Sequence, residues 1–233
     1  MRVVHLLGAI VALSLYGCAT HLYESQYSAK SIAAWVVDAE THQPLEGVTV
    51  LASWEVEAGE MVARSKIFRI KLLEAVTDKN GRFYLPAWGP EPNPSTFGYI
   101  RFSDPLLLFF KPGYDYEARA NIVLSEPRSG PERVSDWQGK TITLRKPLSD
   151  AEYVERFGRL RDDLDLIFMS HQEPCNWTHT PKMLSAVSAE ERRLREMGVT
   201  NFLSIVSSLR TSEDDFARRG CGSVNAFLDK LSK

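Results

Sequence analysis

The chain has 233 residues, of which 44% are apolar and 25% are charged, and its formal net charge is -2. This is an ordinary globular composition, and the length is sufficient for one large domain or two small ones. Lysine and arginine form no dense stripe along the chain, so we do not expect nucleic-acid binding.

The first 17 residues have the pattern of an export signal. Arg2 precedes an apolar run over residues 3–15, and Gly17 precedes Cys18. Such a run is too short to cross a bilayer, and a small residue before a cysteine is typical of lipoprotein signals. The pattern predicts removal of residues 1–17 and lipidation of Cys18, with acyl chains such as palmitate holding the protein on a membrane.

The residues after the cysteine predict an address and a spacer. Ala19 stands where lipoproteins retained in the inner membrane commonly carry Asp. This resemblance favours the outer membrane, with the protein facing the periplasm or the cell surface. Residues 23–30 are polar, and residues 18–30 are interpreted as a lipidated tether. The alternative is that the apolar run forms a buried N-terminal strand or helix, which explains the run but not the Gly-Cys pair.

Alternating residues then predict strands joined by tight turns. Residues 32–37 alternate in the manner of a half-buried strand. The next turn contains Pro44, which fixes φ, and Gly47, which permits a positive φ. A second turn over residues 78–81 begins with an Asp and ends with a Gly, and aromatic and apolar residues follow it.

Three segments together resemble the carboxypeptidase regulatory-like domain. They are residues 38–50, 77–86 and 111–114, and the final strand is expected within residues 140–145. The resemblance implies a seven-stranded, transthyretin-like antiparallel β-sandwich over residues 31–147, acting as a noncatalytic module.

Two insertions depart from the family pattern, over residues 58–73 and 89–104. The second contains three closely spaced prolines, which interrupt strand ladders, so it is predicted to be a surface loop. Long loops often carry binding residues, and Trp88, Phe97 and Tyr99 are the candidates here, with the Pro-rich part at residues 89–98. The alternative is an insertion without function.

Aromatic rings near strand ends also suit stacking on sugars, so a glycan is a candidate ligand. The rings in question are those of Trp54, Trp88, Trp137 and Tyr99. Burial in the core explains them equally well, since tryptophan is often partly buried.

The run Leu-Leu-Leu-Phe-Phe at residues 106–110 is apolar on both faces of a strand. A sandwich strand with one wet face should alternate, so something must cover its second face. We predict that the helical residues 148–233 pack there, giving an α+β fold. The competing interpretation is a contact with a protein partner or a membrane.

Helix signals fill the C-terminal part. Ser149 and Glu152 have the spacing of a capping box, with Leu148 placed to contact Tyr153. A second box at residues 188–191 predicts another helix start, Gly198 a helix end, and Thr200 a further cap. The apolar positions that follow repeat at helical spacing and are interpreted as core.

Cys175 and Cys221 are predicted to form a disulfide, because an exported protein folds in an oxidising compartment. Two separate buried thiols are the first alternative. A metal site is the second: His171, Cys175 and His179 lie four residues apart, and Cys221 would complete four zinc ligands. Pro174 argues against the continuous helix that this spacing would need.

No catalytic motif of the nucleotide-binding, serine-hydrolase or zinc-protease type occurs in the sequence. The sequence therefore predicts a noncatalytic, lipid-anchored envelope protein that acts as a binding or structural module through its sandwich loops and edges, without a cofactor. Its partners would be the membrane and an envelope protein or a glycan. Two alternatives stay open: a zinc-dependent or other hydrolase on the helical segment, and a subunit of an envelope assembly.

Overall fold

A computed structural model describes residues 24–58, 66–101, 103–122, 130–170 and 172–231. Within these residues eleven strands precede all the helices. The strands are β1 (Gln26–Ala29), β2 (Ile32–Asp38), β3 (Thr49–Ala58), β4 (Lys66–Val76), β5 (Arg82–Leu85), β6 (Trp88–Pro92), β7 (Gly98–Ile100), β8 (Leu106–Phe110), β9 (Glu117–Arg119), β10 (Glu132–Arg133) and β11 (Thr141–Leu144).

Five α-helices and one 3-10 turn follow within the described residues. They are α1 (Asp150–Phe168), the turn Asn176–His179, α2 (Pro181–Glu196), α3 (Ile205–Thr211), α4 (Glu213–Arg218) and α5 (Val224–Leu231). None of the described helices is long and apolar enough to cross a membrane.

The strands form one large and two small sheets. The large sheet has the order β4-β3-β8-β9, with β7 also paired to β3, and the small sheets are β10-β1-β6 and β11-β2-β5. Most pairs are antiparallel, while β1 with β10 and β2 with β11 are parallel. The predicted sandwich with C-terminal helices is therefore confirmed, with two parallel pairs added to an otherwise antiparallel design.

The sandwich core lies between the large sheet and the two small ones. Alternate residues of β2, β3, β5, β8 and β11 point into it, as their period of two requires. Its largest fully buried members include Trp54, Phe83, Phe109, Ile32 and Leu85. Phe83 and Phe109 meet edge to face with ring centroids 5.8 Å apart, a favoured aromatic geometry.

Both predicted turns are present, and an aspartate organises each one. Asp38 Oδ1 accepts hydrogen bonds from the backbone N–H groups of Glu40 and Thr41, at 2.9 and 2.8 Å. These bonds lower the pKa of Asp38 to about 2. In the second turn Asp78 Oδ1 accepts from Asn80 N at 2.9 Å. Gly81 has φ +71°, and a Cβ there would lie 2.4 Å from the Val36 carbonyl oxygen, so only glycine fits.

The helices pack on the outer face of the large sheet, as the two-sided strand predicts. In β8, Leu107 and Phe109 belong to the sandwich core, whereas Leu108 and Phe110 belong to a second core with the helices. Phe110 lies 5.7 Å from Phe157 of α1, measured between ring centroids. The strand is therefore buried on both faces, and the molecule has three layers.

Helix starts follow the prediction only in part. Ser149 caps α1 by accepting the N–H of Glu152, as predicted. Leu148 is largely exposed, so its predicted contact with Tyr153 is wrong. The box at residues 188–191 lies inside α2, which begins seven residues earlier at Pro181, a residue that suits the first helical position.

The predicted end of α2 is confirmed, whereas the predicted cap of α3 is wrong. Gly198 follows the end of α2 with φ +81°, as predicted. The cap of α3 is Ser204, whose hydroxyl accepts the N–H of Ser207, and not Thr200. The reason is that Ser204 immediately precedes the first buried residue of that helix, Ile205.

Two N-terminal interpretations also change. The segment 89–104, predicted to be a loop, contains β7 and all of β6 except its first residue, Trp88. Prolines are tolerated in β6 because it is an edge strand, where a missing N–H leaves no ladder bond unmade. The predicted tether 18–30 includes β1, in which Tyr27 and Ala29 are buried.

Candidate functional site

A cleft of about 620 Å³ lies between the large sheet and the end of α1. Its floor comes from β3, β4 and β8, and its wall from α1 and the loop that follows it. The lining residues are Ser53, Glu55, Lys66, Ile67, Arg69, Arg101, Leu106, Asp163, Leu166, Ile167, Met169, Ser170 and Gln172. A cleft of this size, with charged groups converging in it, is the usual form of a small-molecule site.

The cleft opens where β3 changes partner. Its first half pairs with β8, with Ser53 opposite Leu106, and its second half pairs with β7, with Val56 opposite Ile100. The ladder with β8 therefore stops before Glu55. Beyond this point the Asp104 side chain replaces β8 as the hydrogen-bond acceptor, because its Oδ2 accepts the backbone N–H of Glu55.

An ionic cluster occupies the floor. The Arg69 side chain is 6% exposed, and its guanidinium donates to Ser53 Oγ at 2.9 Å, to the Ile167 carbonyl at 3.4 Å and to the Glu55 carboxylate. Arg69 thus joins β4 to β3 and contacts α1 through the Ile167 carbonyl. Arg101 lies beside it, with its Nε 3.0 Å from Glu57 Oε2 and its Nη1 3.8 Å from Glu55 Oε2.

Burial shifts two carboxyl groups around this cluster. Desolvation raises the pKa of Asp104 to about 7, despite the hydrogen bond from Glu55 N, and the charge of Glu55 raises it further. Desolvation also raises the pKa of Glu173, whose Oε2 accepts the backbone N–H of Arg69 at 3.0 Å. Perturbed carboxyl groups beside a cleft are a common property of functional sites.

The mouth of the cleft is apolar. Leu166 of α1 is 73% exposed, and Ile67 of β4 is 36% exposed. Both line the cleft together with Leu106 and Met169. The cleft therefore combines an ionic floor with an apolar rim, which suits a ligand that has both characters.

The predicted binding loop is divided by the structure. Trp88 is buried in the sandwich core, where its ring meets Trp54 edge to face at 5.4 Å, so neither ring can stack on a ligand. Phe97 is 61% exposed and Tyr99 is 38% exposed, so their role in binding stays a prediction. Trp137 is half-buried and donates its indole N–H to the Ala120 carbonyl.

The cysteine prediction is confirmed by a Cys175–Cys221 disulfide. It joins the loop after α1 to the segment before α5. His179 lies in the 3-10 turn, whereas His171 and the lipidation candidate Cys18 lie outside the described residues. Within those residues, no three His, Cys, Asp or Glu side chains are arranged to hold a metal ion.

Sequence reasoning missed the cleft residues for an identifiable reason. Glu55 and Arg69 pair across neighbouring strands, but a β-bulge between Trp54 and Glu55 sets their register. Arg101 and Asp104 fall in a segment that was predicted to be a loop. The available signal was the placement of charged residues within otherwise apolar strands, which is costly unless they are paired.

Known proteins resemble this chain only weakly in sequence and in structure. No family model matches the chain, and no curated protein matches it. A 3-chlorocatechol 1,2-dioxygenase from Rhodococcus opacus 1CP is 21% identical, with a TM-score of 0.29, over 53% of this chain and 62% of the dioxygenase. The dioxygenase domain of a dioxygenase carbohydrate-binding protein fusion from Streptomyces sp. SirexAA-E is 17% identical, with a TM-score of 0.28, over 55% and 86%.

A third solved structure, a 9R-lipoxygenase from Cyanothece PCC8801, is 15% identical with a TM-score of 0.26, over 88% of this chain and 34% of the lipoxygenase. All three neighbours are oxygenases, which contradicts the prediction of a noncatalytic module, and that prediction is withdrawn with its hydrolase and assembly alternatives. At these TM-scores the neighbours transfer no residue, cofactor or reaction to this chain.

Proposed function

We propose that the cleft binds a small organic acid with an apolar body. The acid group would meet Arg101, and the body would lie against the apolar rim of Ile67, Leu106 and Leu166. The observation that carries this proposal is the position of Arg101. Its side chain is 38% exposed within the cleft lining and pairs with Glu57 through Nε. The side chain of the neighbouring Arg69 is 6% exposed and donates to Ser53, Glu55 and the Ile167 carbonyl.

The exposed guanidinium of Arg101 supports an acid over a base. Lys66, Arg69 and Arg101 contribute three positive charges to the lining and Glu55 and Asp163 two negative ones, while Glu57, which pairs with Arg101, makes the cluster neutral. The Asp163 carboxylate also accepts the hydroxyl of Tyr116 at 2.5 Å. A guanidinium presents several donors in a plane that fits a carboxylate, and such charge-assisted bonds are the strong ones.

The protonation state of Asp104 should tune this site. With its pKa near 7, Asp104 is largely neutral at pH 6 and largely charged at pH 8. The ionised form adds a negative charge directly behind Glu55. We therefore expect an acid ligand to bind more weakly at pH 8 than at pH 6.

Titration of the full chain with decanoate and with decanol tests the proposal. The two probes share an apolar body and differ in the acid group, so decanoate should bind and decanol should bind at least tenfold more weakly. Arg101→Gln should remove this preference, because a bond to a charged group contributes about 1.5–3 kcal/mol. Isothermal titration calorimetry at pH 6 gives all four affinities.

The matched control is Arg159→Gln. Arg159 forms an exposed pair with Glu155 on α1, away from the cleft lining, so its replacement should leave both affinities unchanged. The proposal is wrong if decanol binds as tightly as decanoate, or if Arg101→Gln and Arg159→Gln have the same effect.

A further inference from the structure

The small sheet β11-β2-β5 has an outer face that the helices do not use. Register pairs place Trp35 beside Thr141 of β11 and Arg82 of β5, and Ala33 beside Tyr84. Partners at the same register point to the same side of a sheet. The buried residues of these strands alternate with them and face the core. The outward set is therefore Ala33, Trp35, Val37, Arg82, Tyr84, Thr141 and Thr143.

Two aromatic rings stand out on this face. Trp35 is 37% exposed and Tyr84 is 54% exposed. Because Tyr84 is opposite Ala33, and Ala33 is two residues from Trp35, the two rings are diagonal neighbours, with Cα atoms about 7–8 Å apart. Ala33 and Arg82 occupy the positions next to both rings. Both rings are exposed enough to contact one extended ligand.

Polar groups surround the rings without partners of their own. The side chains of Trp35, Tyr84 and Arg82 make no hydrogen bond or ion pair with any other described residue, and the same holds for the hydroxyls of Thr141 and Thr143. These exposed donors and acceptors are therefore available to a ligand. Tryptophan, tyrosine and arginine are also enriched in protein interfaces, so the experiment includes a measurement of self-association.

We infer that this face binds a saccharide chain that carries acid groups. A pyranose ring offers C–H groups on its faces, which stack on aromatic rings, and hydroxyls at its rim, which hydrogen-bond to groups such as Thr141 and Thr143. Arg82 is the one charged member of the seven outward side chains, so charge complementarity favours a uronic acid over a neutral sugar.

This site is separate from the proposed acid-binding cleft. The cleft lies on the helical side of the large sheet, and the saccharide face belongs to the opposite layer of the sandwich. Of the four aromatic residues that the sequence suggested for sugar stacking, Trp54 and Trp88 are in the sandwich core. Trp35 and Tyr84 provide the rings for sugar stacking instead.

The test uses tetragalacturonate as the acidic probe and maltotetraose as the neutral one, titrated into the full chain and followed by chemical-shift changes. Tetragalacturonate should bind more tightly than maltotetraose. Trp35→Ala and Tyr84→Ala should each weaken its binding at least tenfold, since stacking on one ring contributes on that order in other ligand classes. Arg82→Gln should reduce the preference for the acidic probe.

Leu203→Ala is the matched control, because Leu203 is exposed in the segment between α2 and α3, away from this sheet. It should leave both affinities unchanged, and Trp35→Ala should leave decanoate binding in the cleft unchanged. Failure of both sugars to bind, or equal binding by Trp35→Ala and the unmodified chain, would overturn the inference. So would a concentration-dependent dimer in sedimentation that disappears in Trp35→Ala, since the face would then be a self-interface.

Discussion

Asp104 combines three properties in one side chain: it is buried, it ends a strand ladder, and it has a pKa near 7. The same carboxylate that replaces a missing ladder acceptor for Glu55 is also held away from water. Its charged form is therefore unfavourable in the folded protein, although the hydrogen bond from Glu55 N offsets part of the penalty.

We expect Asp104→Asn to change how stability depends on pH. The folded pKa of about 7 lies above the ordinary value of 3.8, so between these values the folded protein keeps a proton that the unfolded chain has lost. The free energy of unfolding of the unmodified protein should therefore fall as pH rises through this window, by about 2–3 kcal/mol between pH 5 and pH 7.5. Asp104→Asn should lack this contribution.

Urea denaturation at the two pH values measures the difference. Glu74 and Glu173 also have raised pKa values and contribute in the same direction, so the comparison with Asp104→Asn isolates one group. Asp162→Asn, at an exposed position of α1, is the control and should keep the full dependence. An identical slope in Asp104→Asn and in the control would show that Asp104 titrates normally.

For single residues, the sequence predicted the hydrogen bonds of side chains whose partners are close in the chain. Asp38 and Asp78 bond to N–H groups two to four residues away, so a local rule finds them. Asp104 bonds to a residue 49 positions away. No local pattern contains that pairing, because it exists only after β3, β7 and β8 have aligned.

Helix starts show the same difference between local contacts, which the sequence predicted, and long-range contacts, which it did not. The cap of α1 is local, and it was predicted. The N-terminus of α2 is capped by Glu74 of β4, whose carboxylate oxygens accept the N–H groups of Lys182 and Met183 at 2.9 and 2.7 Å. Glu191, assigned from sequence to a capping box, instead accepts the N–H of Ile205 at the start of α3.

Replacing Glu74 by Ala should destabilise the protein by about 1–2 kcal/mol, because two helix N–H groups lose their acceptor and the helix dipole loses a favourable charge. Urea unfolding monitored by circular dichroism at 222 nm gives the value. Glu196→Ala, at the exposed C-terminal end of α2, should be neutral or slightly stabilising. A loss in Glu74→Ala no larger than in that control would mean that water replaces the cap fully.

At the level of the whole molecule, the sandwich and the helices should unfold together. They share the large sheet, and β8 contributes to both cores, so neither layer can keep its apolar face buried without the other. The sequence predicted this arrangement, because a strand apolar on both faces requires two covers. It did not predict which helix would cover which strand, since the amphipathic helices all present similar apolar stripes.

Leu107→Ala and Leu108→Ala test this coupling from opposite faces of one strand. Leu107 lies in the sandwich core and Leu108 in the helical core, and both are fully buried. Each change should lower the free energy of unfolding by about 2–5 kcal/mol. In both variants, amide exchange of β2 and of α2 should report the same opening free energy, as in a two-state protein.

Thr141→Ala, an exposed change on β11, provides the reference in which both free energies stay near those of the unmodified protein. If α2 exchanges faster than β2 in Leu108→Ala alone, the helical layer opens as a separate unit and the coupling is disproved.

The five apolar residues of β8 leave its alignment ambiguous by their chemistry alone. Sliding the strand by one position against β3 would exchange its two faces and still bury five large side chains, so hydrophobicity does not choose between the two alignments. The contacts at the ends of the strand therefore determine which alignment forms. Asp104 finds the Glu55 N–H in only one of them, which makes this carboxylate a marker that distinguishes the native alignment from its one-step neighbour.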